Sequence, residues 1–146
     1  MDIIFRQAVC DDIPVIKELF SEMLRSVGEE EADNYDVSYL EFFSDNDDII
    51  YAAEADGKII GYLSVAVFTE YIYLDDFSVT EKYRGRGIGT KLIALAEKYG
   101  IEKKIPTAML HVKCSNEKAL RLYKRLGYTV SDDNGSRFRM TKQLQR

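Results

Sequence analysis

At 146 residues, with 46% hydrophobic side chains and a formal net charge of −5, the chain has the size of one domain and buries about 68–70% of its unfolded surface on folding. It holds no run of about 18 apolar residues, and Met1-Asp2-Ile3-Ile4-Phe5-Arg6 lacks the basic-then-apolar order of a secretory signal. Cys10 and Cys114 form no Cys-x-x-Cys pair, so a disulfide framework is excluded and a soluble, cytoplasmic protein with reduced thiols and no membrane partner is expected.

In chain order, Ile3 to Ala8 reads as a strand. Asp11-Asp12 before Ile13-Pro14 is a helix start, with an N-cap acid and an early proline. Ile13, Ile16, Leu19, Phe20, Met23, Leu24 and Val27 then recur at helical spacing, and Gly28 ends the run. Val37 to Phe43 is a short second helix. Ile49 to Glu54 and Lys58 to Phe68 flank Asp56-Gly57, a strong hairpin signal, so two antiparallel strands follow. Tyr71 to Val79 is the next strand, Ile88 to Tyr99 a helix closed by Gly100, and Thr107 to Lys113 a strand. The last helix starts at Ser115 or Asn116 and stops at Gly127. Tyr128 to Ser131 and Arg137 to Leu144 form a final hairpin around Asp133-Asn134-Gly135. This order predicts an α/β fold in a single domain over residues 1–146, built on one mixed, mostly antiparallel sheet with helices on both faces.

Between the Tyr71 strand and the Ile88 helix lies Arg84-Gly85-Arg86-Gly87-Ile88-Gly89-Thr90. Three glycines in five positions remove the Cβ atoms that would keep a ligand from the backbone, so consecutive amides can converge on one anion. The helix start adds unpaired N–H groups and about half an elementary charge, and Arg84 and Arg86 add full charges. A pyrophosphate is the natural guest. A nucleoside-triphosphate loop needs Gly-Lys-Ser/Thr, and Thr90-Lys91 reverses that order. The dinucleotide fingerprint needs a further glycine where Thr90 stands, and no βαβ unit opens the chain.

Charge is unevenly placed. Residues 1–80 carry 19 acidic and 4 basic side chains, whereas residues 81–146 carry 6 acidic and 16 basic ones. The basic half contains the phosphate loop, and the acidic half would repel nucleic acid, which is therefore not expected as a partner. Eleven carboxylates and no Lys, Arg or His lie between Ser26 and Gly57. The field of that segment would draw a cationic ligand.

The loop pattern Arg-x-x-Gly-x-Gly, carried by Arg84, Gly87 and Gly89, resembles the coenzyme A loop of the GCN5-related N-acetyltransferase (GNAT) family. The resemblance extends to Leu74-Asp75-Asp76-Phe77-Ser78-Val79, where the family has an acid near a bulge, and to Asn116, Ala119, Tyr123, Leu126, Gly127 and Tyr128 in the last helix. It implies a splayed pair of parallel strands holding the pantetheine arm, with acetyl-CoA as co-substrate and no metal. Phe77, Ser78 and Val79, the loop from Arg84 to Thr90, and Asn116 are the implied cofactor contacts. Phe77 and Val79 would offer main-chain groups to the pantetheine and the thioester carbonyl.

Acetyl transfer requires a deprotonated amine, because an alkylammonium with a pKa of about 10.4 has no lone pair at pH 7. Asp75 and Asp76 are the candidate bases, and neighbours in a strand project to opposite faces unless a bulge re-aims one. Alignment with the family favours Asp75, and because it is one methylene shorter than the glutamate of polyamine-type members, a water relay is expected. Tyr123 suits the role of acid toward the departing thiolate, its phenol being of similar basicity. His111 is assigned a structural role. The resemblance implies an acyltransferase acting on a small cationic amine, of polyamine or aminoglycoside type. A protein N-terminus or lysine as acceptor, and a non-catalytic acyl-CoA sensor, stay open. So does a homodimer through the terminal edge strands.

Overall fold

A computed structural model describes residues 2–26 and 48–144. The expected helix from Val37 to Phe43, the expected helix end at Gly28 and the acidic residues from Glu29 to Asp47 lie outside the described residues.

The strands are β1 Ile3–Gln7, β2 Ile49–Ala55, β3 Lys58–Val67, β4 Tyr71–Val79, β5 Thr107–Lys113, β6 Thr129–Asp133 and β7 Arg137–Gln143. They form one sheet in the order β1-β2-β3-β4-β5-β7-β6. Every neighbouring pair is antiparallel except β4 and β5. The helices are α1 Ile13–Ser26, α2 Ile88–Glu102 and α3 Glu117–Arg125. Among the described residues no helix is long and apolar enough to cross a membrane.

Period-two alternation divides the apolar residues between two faces. On one face Ile13, Ile16 and Leu19 of α1 meet Ile50, Ala52, Ile59 and Tyr62. On the other, Ile88, Leu92, Ile93 and Ala96 of α2 cover Ala53, Leu63, Val65, Ile72, Leu74, Leu110 and Met140. Asp12 closes a single 3-10 turn, Cys10–Asp12, ahead of α1. It accepts the Val9 amide at 2.8 Å and pairs with Arg6 at 2.8 Å, while Arg6 reaches Glu54 at 2.9 Å. One guanidinium thus ties β1, β2 and the entry to α1.

The turns follow local chemistry. Asp56 and Gly57 take φ of 52° and 80°, the paired left-handed conformation of a two-residue hairpin. Asn134 Oδ1 accepts the amides of Ser136 and Arg137, and β6 runs two residues beyond its expected end, to Asp133. The largest departure from expectation is α2, which passes through Gly100 and ends at Glu102. A Cβ on Gly100 would lie 2.7 Å from Leu144 Cδ1 and 3.3 Å from Ile72 Cδ1, so this glycine admits neighbours rather than stopping the helix. Lys104, at φ 62°, takes the terminating left-handed position, with Ile105 N–H bonded to Gly100 C=O at 2.8 Å.

Candidate active site

β4 is irregular at two adjacent points. Against β3 the register runs Leu63↔Phe77 and Val65↔Leu74, so Asp75 and Asp76 together face Ser64. This is the bulge that the family resemblance implied. Against β5, β4 pairs only at Tyr71↔Thr107, Ile72↔Ala108 and Tyr73↔Met109. Beyond Tyr73 the two parallel strands part, although β4 continues to Val79 and β5 to Lys113.

The ladder fixes which main-chain groups face the gap. Thr80 N–H bonds to Ile60 C=O at 2.9 Å, and Tyr62 opposes Ser78 two residues along. In an antiparallel ladder alternate residues point to one neighbour, so Ser78 turns its backbone to β3 while Phe77 and Val79 turn theirs toward β5. Ser78, expected among the cofactor contacts, has its side chain buried on the α1 face. The Val79 carbonyl accepts from Arg84 Nε at 2.8 Å, so Arg84 is folded back to brace the loop against the strand.

A 3-10 turn, Glu81–Tyr83, leads into the glycine loop. Gly85 and Gly87 both take φ of 77° in open space and serve the turn itself. Gly89 serves packing, because its Cβ would lie 2.5 Å from Phe77 Cζ. No side chain caps α2, and the Lys91 amide bonds to the Gly87 carbonyl. The N–H groups of Ile88, Gly89 and Thr90 precede that bond and stay available to an anion. The Arg86 guanidinium lies 5.2 Å from the Tyr83 ring centroid.

Asp75 reaches solvent, yet enough protein surrounds its carboxyl for partial desolvation to raise its pKa, with the Asp48 carboxylate adding repulsion. Tyr73 lies on the same face, two residues earlier. Its hydroxyl and His111 Nδ1 share a 2.7 Å hydrogen bond across the strands just where pairing stops. His111 is exposed there, and burial together with Asp75 raises the Tyr73 pKa. The sequence did not single out Tyr73, and it gave His111 a structural role, with which this hydrogen bond agrees. Their signal was positional, since each sits on the same strand face as Asp75 or directly across the gap from it.

In α3, Asn116 is the N-cap, its Oδ1 accepting from the Ala119 amide at 3.2 Å. Tyr123 is half-buried and meets Tyr128 edge-on at 6.2 Å, and burial pushes its phenol up to about 12. Tyr128 is buried and donates to Glu97 at 2.8 Å, and Glu97 also pairs with Lys142 at 2.9 Å. Gly127, at φ 99°, ends α3 as expected. Among the described residues no three His, Cys, Asp or Glu side chains come together as a metal site.

The Acetyltransferase (GNAT) family model matches residues 13–128. An uncharacterized N-acetyltransferase of Methanocaldococcus jannaschii is 31% identical over 120 residues, 78% of this chain and 77% of that protein. A spermine/spermidine N(1)-acetyltransferase of Bacillus subtilis is 31% identical over 101 residues, 61% of this chain and 66% of that protein. Among solved structures, the PaiA N-acetyltransferase of Thermoplasma acidophilum in complex with coenzyme A superposes with a TM-score of 0.81 at 24% identity, covering 98% of this chain and 99% of that one.

Proposed function

Because the chain belongs to the GNAT acetyltransferase family, we propose that it transfers the acetyl group of acetyl-CoA to a primary amine. The observation that carries this reading is the early parting of β4 from β5 beside an uncapped α2 N-terminus. The gap suits an extended pantetheine arm, with the main chains of Phe77 and Val79 along one wall. The Ile88, Gly89 and Thr90 amides, with Arg86 nearby, suit the pyrophosphate.

When bound, acetyl-CoA supplies an activated carbonyl, and the chain's own groups supply proton management. Asp75 takes the ammonium proton, and its raised pKa narrows the gap to the amine's own. Tyr123 stays protonated through neutral pH and donates toward the departing sulfur. A main-chain N–H at the gap polarises the thioester carbonyl as it becomes an oxyanion. Asn116, whose Oδ1 caps α3, retains its side-chain NH2 as a donor for the arm.

The acceptor is a small cationic amine of polyamine or aminoglycoside type. The Asp48 and Asp75 carboxylates, near enough for one charge to act on the other, support this choice, as does the spermine/spermidine acetyltransferase among the relatives. Thiol release from acetyl-CoA with polyamines, aminoglycosides, lysine peptides and free N-terminal peptides tests it. Turnover restricted to peptides would move the acceptor to proteins. Calorimetric binding of acetyl-CoA without turnover on any amine would leave a sensor.

A further inference from the structure

One buried polar atom has no role in that chemistry. Tyr62 lies in the middle of β3 and is fully buried. Its hydroxyl has no hydrogen-bond partner among the described residues. A phenylalanine would fill the same space without the penalty of a buried, unpaired hydroxyl. An oxygen at this position calls for a partner beyond the described side chains, and water is the simplest one.

Its surroundings indicate which partner. Leu63, Val65, Leu74, Phe77 and Val79 pack on the α2 face. Alternation therefore sets Tyr62, Ser64, Ser78 and Asp75 together on the α1 face, around the bulge. Ser64 and Ser78 are the buried polar side chains among the described residues. Among the described side chains, α1 contributes the apolar Ile13, Ile16 and Leu19 to the core on this face. The charged and titratable groups that face Asp75 are Asp48, Tyr62 and Tyr73, with His111 bonded to Tyr73 and Arg137 near enough to act on Tyr73. The register sets Tyr62, opposite Ser78, and Asp75, opposite Ser64, on one face of adjacent strands, and burial, and after it the Asp75 charge, raises the Tyr62 pKa. A buried hydroxyl, a carboxylate that reaches solvent and two serines thus share one face, and a bound water needs two to four polar partners of this kind.

We propose that Tyr62 is a positioning residue for Asp75: its hydroxyl donates to one water, which donates in turn to the Asp75 carboxylate and turns its remaining lone pair to the acceptor ammonium. An ammonium N–H bond breaks as its proton passes to the water oxygen, and a water proton passes to the carboxylate. A neutral amine, a carboxylic acid and the same water remain. The inference rests on Asp75 being the base.

A high-resolution crystal structure of the whole chain should show a water within hydrogen-bond distance of both Tyr62 Oη and Asp75, and its absence there overturns the proposal. In kinetics with acetyl-CoA and spermidine, Tyr62→Phe should lower kcat at least tenfold, with acetyl-CoA affinity and melting temperature held. In an Asp75→Asn background it should cost nothing further. An unchanged kcat, or an equal loss in both backgrounds, refutes the role of Tyr62 alone. An Asp75→Asn variant with full kcat refutes the base itself and the inference with it. If spermidine is not turned over, or Tyr62→Phe does not fold, the crystal structure alone decides.

Discussion

Gly89→Ala separates two readings of the glycine loop. A Cβ there would stand 2.5 Å from Phe77 Cζ and 3.3 Å from Cε1, too close for either ring atom to stay in place. Overpacking of this kind costs about 1–3 kcal/mol, and alanine in place of glycine in a helix returns about 1 kcal/mol. The expected net destabilisation is about 0–2 kcal/mol, or up to about 6 °C in melting temperature for a chain of this length. The larger effect falls on ligand binding. The clashing ring belongs to a residue whose backbone lines the gap, so its displacement disturbs the wall. Scanning calorimetry and isothermal titration with acetyl-CoA should show a modest fall in melting temperature and a clear loss of affinity. Phe77→Leu in the same chain should recover stability by removing the clashing atoms. A Gly89→Ala protein as stable as the parent that binds acetyl-CoA equally well would refute the spacing argument.

Tyr123→Phe should lower kcat by about 10²-fold or more while acetyl-CoA affinity, measured by titration, is retained. Since burial holds the Tyr123 phenol near 12, its deprotonation should not lower the rate of the parent protein between pH 7 and 10, which a pH–rate profile checks. Asp75→Asn should remove the acidic limb of the kcat/KM profile, whose midpoint in the parent lies above the ordinary carboxylate value. Because a raised carboxyl pKa means that ionised Asp75 opposes folding above that midpoint, the same variant should melt no lower than the parent at pH 7. Asp12 has the opposite sign. The hydrogen bond from Arg6, with the Val9 amide also contributing, lowers its pKa. Its contribution is present above the unfolded value near 3.9 and is lost as pH falls through the lower folded value. Asp12→Asn should cost about 1–3 kcal/mol in denaturant melts at pH 7, and less at pH 3.

The parts of the fold readable from sequence are those set by neighbours along the chain. Asp56-Gly57 made its hairpin, and Asn116 and Gly127 bounded α3, because each depends on conformational preferences within a few residues, whereas the bulge at Asp75-Asp76 was implied by the family resemblance. Gly100 was misread for the opposite reason. A glycine in a helical run can stop the helix or admit a neighbour, and here the deciding atoms belong to Ile72 and Leu144. Gly89 likewise answers to Phe77, twelve positions earlier, and Arg84 to the Val79 carbonyl. The Tyr73–His111 bond also could not be read from either strand alone, since it joins β4 to β5 at a residue two positions beyond their last pair. In general, short-range chemistry was visible, and contacts made across the sheet were not.

The strand order has a consequence for when this protein becomes competent. With β4 leaving after three pairs, β5 is held along its full length by β7, from Thr107↔Gln143 to Lys113↔Arg137. That support is the last of the described strands in chain order, and so follows the glycine loop out of the ribosome. A nascent chain that has already exposed its glycine loop therefore lacks a stable far wall for the gap. On the proposed reading, cofactor capture should wait on residues 137–143, and losing them would leave β5 on its three pairs with β4 and β6 without a neighbour.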